Sequence, residues 1–433
     1  MRVTFYTLGC KLNQAETESL VGQFSRSGFQ IVSPSDVADI YIANTCTVTH
    51  IADRKSRHWL RLARRRNPRA LIVATGCYAQ RSRQVLAPLA DLIADNEQKE
   101  HLLTLIQALS LEQREFGEGP TKQSQVPAVT MRTRSLIKIQ DGCHGPCTYC
   151  IVPEVRPREY SLPSSQIIDE VKQKLALGYK EVVLTGTKVG TYKDAVLTTS
   201  EGLSADLKDL IQRILDDTGI ERLRLSSLQP SEVSSKLLAL WQDERLCRHF
   251  HLALQSGSET VLQRMKRSYS LDQYQRAMNL INDTIPEAAI TTDVMVGFPG
   301  ESDEEFEQSY SFCQQAGFAN IHVFPFSPRP ETKAARMPNQ IEDEVKQERN
   351  QRMLELSRSS RCRFCEQFLR QIMPVLWEQE TGPGSGVYSG LTSNYVRVFA
   401  HCKKSLSNAI TPVKLVVFHN QGIRGQIVNE NPS

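Results

Sequence analysis

Gly142-Cys143-His144-Gly145-Pro146-Cys147-Thr148-Tyr149-Cys150 follows an apolar, strand-like run at residues 135–140 and spaces three cysteines as C-x3-C-x2-C. Thiolates are soft ligands, suited to zinc, copper(I) or iron–sulfur clusters. A closed structural zinc site takes four ligands, usually as two C-x2-C pairs, and an iron–sulfur cluster is normally held by four cysteines. Three cysteines on one loop therefore point to a cubane with one iron left open for a small chelating ligand. The competing reading is a zinc loop completed by His144 or a distant cysteine. No second C-x2-C pair at zinc-ribbon spacing follows.

The 433 residues carry a net charge of +4 and 11 cysteines. That length allows two or three domains with full cores. An odd cysteine count without a secretory signal reads as thiols in a reducing compartment, hence a cytoplasmic location. Arg2-Val3-Thr4-Phe5-Tyr6 reads as a strand and not as a signal peptide. No run of about 18 apolar residues exists, so no membrane span is expected.

Residues 1–115 alternate short apolar strands (3–7, 40–44, 71–75, 91–94) with amphipathic helical patterns such as 15–25 and 52–65. Such alternation implies parallel βαβ units in an open α/β sheet. Cys10, Cys46 and Cys77 each fall just past the carboxyl end of a strand. In parallel sheets those ends share one edge, where ligands bind. One cysteine there is usually a small core residue; three at equivalent places indicate a second metal or cluster site. The segment after Cys46 is basic, with Arg54, Lys55, Arg57, Arg61, Arg64, Arg65, Arg66 and Arg69. Most charge runs are solvated helix faces, but this one has few acids to balance it. Arg54, Lys55, Arg57 and Arg61 are its candidates for contact with a nucleic-acid backbone.

Residues 112–131 carry Gly, Pro, Ser, Thr and Gln without apolar periodicity and read as a linker. Across 130–368 the strand–helix alternation restarts, with strands at 136–140, 181–185, 222–226, 249–253, 289–294 and 321–324 and helices at 166–177, 205–215 and 274–281 between them. Six units without a clear seventh and eighth imply a partial (βα)6 barrel. In βα barrels chemistry sits at the carboxyl ends of strands, where Cys143, Cys147 and Cys150 follow the first strand. Thr185 and Gly186, Ser226 and Ser227, Gln255, and Gly297 with Phe298 occupy the other strand ends. With Tyr149 they are the cofactor-binding candidates: glycines allow close backbone approach, and hydroxyls and amides can hold ribose and amino-acid groups. Residues 342–370 read as a long charged helix that carries Cys362 and Cys365 as helix residues. From 369 to 433, short strands at 373–377, 386–388, 395–398, 411–418 and 425–428 imply a small β-barrel, with Arg397 among its candidate RNA contacts.

Together these residues resemble the methylthiotransferases of the radical S-adenosylmethionine superfamily along nearly the whole chain. Thr7-Leu8-Gly9-Cys10-Lys11-Leu12-Asn13-Gln14, Asn44-Thr45-Cys46-Thr47-Val48-Thr49 and Gly76-Cys77-Tyr78-Ala79-Gln80 are similar to that family's cluster-ligand motifs. Leu254-Gln255-Ser256-Gly257-Ser258, Met265-Lys266-Arg267 and Gly297-Phe298-Pro299-Gly300-Glu301 are similar to its barrel motifs. Gly390-Leu391-Thr392-Ser393-Asn394-Tyr395 is similar to its RNA-binding TRAM barrel. Around Cys10 and Cys46 the chain looks most like the branch acting on N6-threonylcarbamoyladenosine, the tRNA base just 3′ of the anticodon. One segment departs: where the family reads Arg-Gly-x-x-Arg-Ser-Arg, this chain has Arg156-Pro157-Arg158-Glu159-Tyr160-Ser161-Leu162, so no contacts are carried over there.

The resemblance implies two [4Fe–4S] clusters, one on Cys143, Cys147 and Cys150 and the other on Cys10, Cys46 and Cys77, with S-adenosyl-L-methionine as cosubstrate. C2 of an adenine has no acidic proton, so catalytic side chains alone would not suffice and the hard chemistry belongs to cofactors. The implied partners are the tRNA anticodon stem-loop, a low-potential electron donor and a sulfur source. The alternatives are the same chemistry on N6-isopentenyladenosine or on a ribosomal-protein side chain, and a non-catalytic, metal-stabilised RNA-binding protein.

Overall fold

The computed structural model describes residues 1–112, 133–198, 204–419 and 421–428. The expected linker lies outside them except for Glu112, which ends the Leu102–Glu112 helix.

Five parallel strands form the N-terminal sheet in the order Gln30–Val32, Arg2–Thr7, Ile40–Thr45, Leu71–Gly76 and Leu92–Ile93. Every residue of Ile40–Thr45 is buried, because helices cover both faces, as parallel sheets require. Tyr41 packs with Trp59 and Ile72 on one face; Ile40 and Ile42 pack with Phe24 and Ile106 on the other. The register pairs Thr7 with Asn44 and Thr45 with Gly76. That alignment levels three strand ends and brings the three cysteine loops to one edge. Gln30–Val32 went unread in the sequence, since three residues carry too little alternation.

The second unit runs six parallel strands in chain order: Arg134–Lys138, Glu181–Thr185, Arg222–Leu225, His249–Leu252, Ala289–Val296 and Asn320–Pro325. It is a strip of three strands and a strip of four, the latter including Ser227–Leu228, joined by a bridge from Leu223 to Leu246. The outermost strands do not pair with each other, so the barrel is partial. Ile137, Val182 and Leu184 face the outer helices in the main core. On the opposite face of the same strands, Leu136 and Val183 meet Ala15 of the Lys11–Arg26 helix. The N-terminal unit therefore lies against the surface that the barrel's own helices leave uncovered. At the far edge the Asp343–Glu366 helix covers the last strand, with the Ser357 hydroxyl bonding both backbone groups of Ile321.

Two short antiparallel pairs were not anticipated. Lys193–Thr198 pairs with Ser204–Asp206, and Gln140–Asp141 turns away from the first barrel strand to pair with Tyr160–Ser161. The C-terminal strands close a five-stranded barrel in the order Ile372–Glu380, Val387–Leu391, Arg397–His401, Gly422–Ile427 and Ile410–His419. Trp377, Val398, Val413 and Ile423 fill it. Arg222 donates to the carbonyls of Leu391 and Pro374, and Arg224 to that of Ser393, which fastens this barrel to the parallel one. Among the described residues no helix is long and apolar enough to cross a membrane.

Candidate active site

Cys10, Cys46 and Cys77 come together because their loops are tied to one another. The Asn13 amide donates to the carbonyls of Leu8 (2.8 Å) and Thr45 (3.0 Å), and the Asn44 amide donates to the Asn13 carbonyl. Gly9 has φ +101°, and a β-carbon there would stand 2.8 Å from Cβ and 2.9 Å from Sγ of Cys46. Only glycine takes that conformation at no steric cost, so the Cys10 loop can close against Cys46. All three cysteines line one cavity of about 410 Å³. Burial pushes the Cys46 thiol up to about 12 and raises Cys10 as well. Loading iron must therefore displace protons.

The barrel's strand ends form the other side of this cavity. Thr185, Gly186, Ser226 and Ser227 line it, together with His251 and His322. The Ser226 hydroxyl, the Thr187 hydroxyl and His251 Nδ1 are buried and have no partner among the described residues. Buried polar atoms are normally bonded, so orphans on a cavity wall are groups waiting for a polar ligand. His251 Nε2 meets Asp293 at 3.1 Å.

The Cys143–Cys150 loop adjoins the same cavity, since Ile151 and Val152 line it directly after Cys150. Gly142, at φ +75°, lets the loop turn against the Arg158 carbonyl, which a β-carbon would overlap. Donors already aim at the sulfurs: Gly145 N to Cys143 at 3.3 Å, Arg267 Nη1 to Cys147 at 3.3 Å and Val152 N to Cys150 at 3.4 Å. Thr148 anchors the loop to the Met265 and Arg264 carbonyls. Burial, then the neighbouring cysteines, pushes Cys150 up to about 12. Both sets suit a thiolate-bound cluster: each offers three separate thiols, the loop sulfurs are backed by N–H donors and the strand-end set by the tight Gly9 turn, and the adjoining wall holds unpartnered polar atoms.

The remaining expected contacts divide. Gln255 sits at φ +70°, its backbone bonded to Asp293 and Met295 and its side-chain oxygen orphaned. Tyr149 lies beneath the loop with its hydroxyl 3.4 Å from Arg267, packed against a buried cluster that contains Phe298. Phe298 is fully buried there, and the Gly297 N–H donates to the Glu301 carboxylate; neither residue lines the cysteine cavity. Arg54, Lys55 and Arg61 are exposed on the His50–Arg66 helix. Arg57 is half-buried and donates to the Tyr78 hydroxyl, while Arg397 is held by Glu378 at 2.7 Å.

Two residues at the junction escaped the sequence reading. Arg156, 4% exposed, bonds Glu16, Asp141 and Asn13 at once (2.7–2.9 Å for the shortest contact to each). Glu16 also pairs with Lys99 at 2.6 Å. Burial alone raises the Glu16 carboxyl, but Lys99 and Arg156 outweigh it and hold it well below the usual carboxylate range. Arg156 thus binds the N-terminal unit to the loop region and lines the cysteine cavity. Its signal lay in the segment that departs from the family pattern. The other is Lys11, adjacent to Cys10.

Residues 137–313 match the family model of the radical SAM superfamily, and residues 2–94 match that of uncharacterized protein family UPF0004. The chain is 35% identical over 427 residues, 96% of its length and 93% of the relative's, to the threonylcarbamoyladenosine tRNA methylthiotransferase MtaB of Bacillus subtilis (strain 168). This chain belongs to the radical S-adenosylmethionine methylthiotransferases. The methylthiotransferase is also 31% identical over 441 residues, 98% of its length and all of the relative's, to the tRNA-2-methylthio-N(6)-dimethylallyladenosine synthase of Syntrophotalea carbinolica (strain DSM 2380 / NBRC 103641 / GraBd1). Among solved structures, the radical S-adenosylmethionine methyltransferase TsrM of Kitasatospora setae, with cobalamin and a [4Fe–4S] cluster bound, matches with a TM-score of 0.55 at 14% identity over 77% of each chain, a likeness of fold. The methylthiotransferase is therefore an enzyme that uses S-adenosylmethionine and a [4Fe–4S] cluster.

Proposed function

We propose that this enzyme methylthiolates C2 of N6-threonylcarbamoyladenosine in tRNA, at the base 3′ of the anticodon, and carries a second [4Fe–4S] cluster on Cys10, Cys46 and Cys77. The observation that carries the reading is one cavity shared by these three strand-end cysteines, the barrel's strand ends and the residues directly after Cys150. Bound there, the two clusters and S-adenosylmethionine would supply hydrogen abstraction and the methylthio group. The chain's own part is positional. Arg267 and the loop amides donate to the Cys143, Cys147 and Cys150 sulfurs. Ser226, Thr185 and Gly186 offer polar contacts to the cosubstrate, and Ile151, Val152 and Val155 keep that side of the cavity apolar.

A base must leave its stack to reach a buried site, at least cost from an unpaired loop. Arg54, Lys55 and Arg61, exposed beside the Cys46 loop, are suited to the RNA backbone. A low-potential electron donor and a sulfur source complete the reaction. The test is mass spectrometry of tRNA nucleosides from cells with the gene, without it, and rescued with Cys147→Ala. The expected result is loss of 2-methylthio-N6-threonylcarbamoyladenosine that the variant does not restore. Loss of the methylthio form of isopentenyladenosine instead would reassign the base, and an unchanged profile would remove tRNA.

A further inference from the structure

A second cavity, of about 670 Å³, opens where the N-terminal unit, the parallel barrel and the C-terminal barrel meet. Lys11, Arg134, Arg224, Glu378 and Tyr395 are on its wall, and Lys11 also lines the cysteine cavity, so this residue borders both. Its charged neighbours are already committed. Arg224 pairs with Glu181 at 2.8 Å and lies 4.9 Å over the Tyr395 ring. Arg134 bonds the Tyr395 hydroxyl and Glu378, each at 3.2 Å. Tyr395 stacks on His249 at 4.3 Å, and Asp293 is engaged with His251. Among the described residues the Lys11 ammonium makes no hydrogen bond and no ion pair. It is a half-buried cation, flanked by two arginines, one residue from Cys10. Burying a charge without a partner is costly, and an anion arriving there would remove that cost.

Resting on the reading of the base given above, we propose that Lys11 selects the substrate by pairing with the carboxylate of the threonylcarbamoyl group. In the adenine ring C2 and C6 flank N1, and C6 carries N6. With C2 held in the cysteine cavity, the N6 substituent extends from the same edge of the base into the adjoining space. Threonylcarbamoyl ends in a carboxylate; an isopentenyl group is neutral and has nothing to offer an ammonium. A backbone phosphate is the other anion of the same chemistry, and the test separates the two.

Binding of the iron-loaded enzyme is measured to three anticodon stem-loops of one sequence, carrying N6-threonylcarbamoyladenosine, its methyl ester, or plain adenosine. Charge-assisted bonds of this kind correspond to about a 10- to 100-fold preference. The wild type is expected to favour the free acid over the ester by that factor, and Lys11→Gln to bind both alike. Lys11→Arg should keep part of the preference. Equal weakening of all three loops in Lys11→Gln would assign Lys11 to a phosphate and overturn the proposal, as would an unchanged preference. Should Lys11→Gln load no iron, the wild type decides alone: equal binding of acid and ester overturns the proposal. Wild-type binding of all three loops no better than an unrelated hairpin would instead overturn the tRNA reading itself.

Discussion

The two cysteine sets differ in how the chain assembles them. Cys143, Cys147 and Cys150 lie within eight positions on one loop, so their spacing alone places three thiols together. Cys10, Cys46 and Cys77 come from three strands, and the parallel register with the Asn13 and Asn44 hydrogen bonds between their loops joins them. The first set is a property of local sequence; the second is a property of the fold. A substitution that loosens packing should therefore damage the second and spare the first.

The largest such effect is expected from Arg156→Met. It leaves Glu16 and Asp141 buried without their shared cation, and breaking a buried pair from one side costs about 3–5 kcal/mol. The variant should unfold at lower denaturant and lose iron from the strand-end set, while Cys143–Cys150 still binds a cluster; denaturant titration and Mössbauer spectroscopy check both. Gly9→Ala comes next. It forces a side chain to φ +101° against Cys46, and a non-glycine residue in such a region costs about 1–3 kcal/mol. Iron per chain should fall towards half, with the loop cluster's signal retained.

These sites were unequally legible. The alternation of short apolar strands, such as 40–44, with amphipathic helical patterns foretold a parallel sheet, and the positions just past the strands foretold where Cys46 would lie. Gln30–Val32 and the Tyr160–Ser161 ribbon are too short to show a period. Gly297 and Phe298 read as a cofactor turn from their place at a strand end; that Phe298 packs with Met265 and Phe326 is decided by segments distant in sequence. Arg156 and Lys11 look like ordinary surface cations in sequence. Their meaning arises only when Glu16 and Asp141 in one case, and Arg134 and Arg224 in the other, are brought in by distant segments.

Acid should act on the same contrast more gently. Ion pairing keeps the folded Glu16 carboxyl below its ordinary 4.5. Its stabilisation is thus fully present above that value and is lost as pH falls through and below it. Unfolding free energy should decline below about pH 4.5, and less steeply in Arg156→Met; urea titrations at pH 7 and pH 4 measure it. The smallest effect falls outside both cysteine sets. Replacing Arg54, Lys55 and Arg61 by Ala should leave iron content unchanged and flatten the dependence of tRNA affinity on salt, by a slope of up to about 0.7–0.9 for each phosphate contact removed.

The division of labour between the sets is tested most directly by two triple-alanine variants, one at Cys10, Cys46 and Cys77 and one at Cys143, Cys147 and Cys150. Each is reconstituted with iron and supplied with reductant, S-adenosylmethionine and modified tRNA. The strand-end variant should still release 5′-deoxyadenosine and make no methylthiolated base; the loop variant should do neither while retaining iron. Methylthiolated product from the strand-end variant would contradict the account.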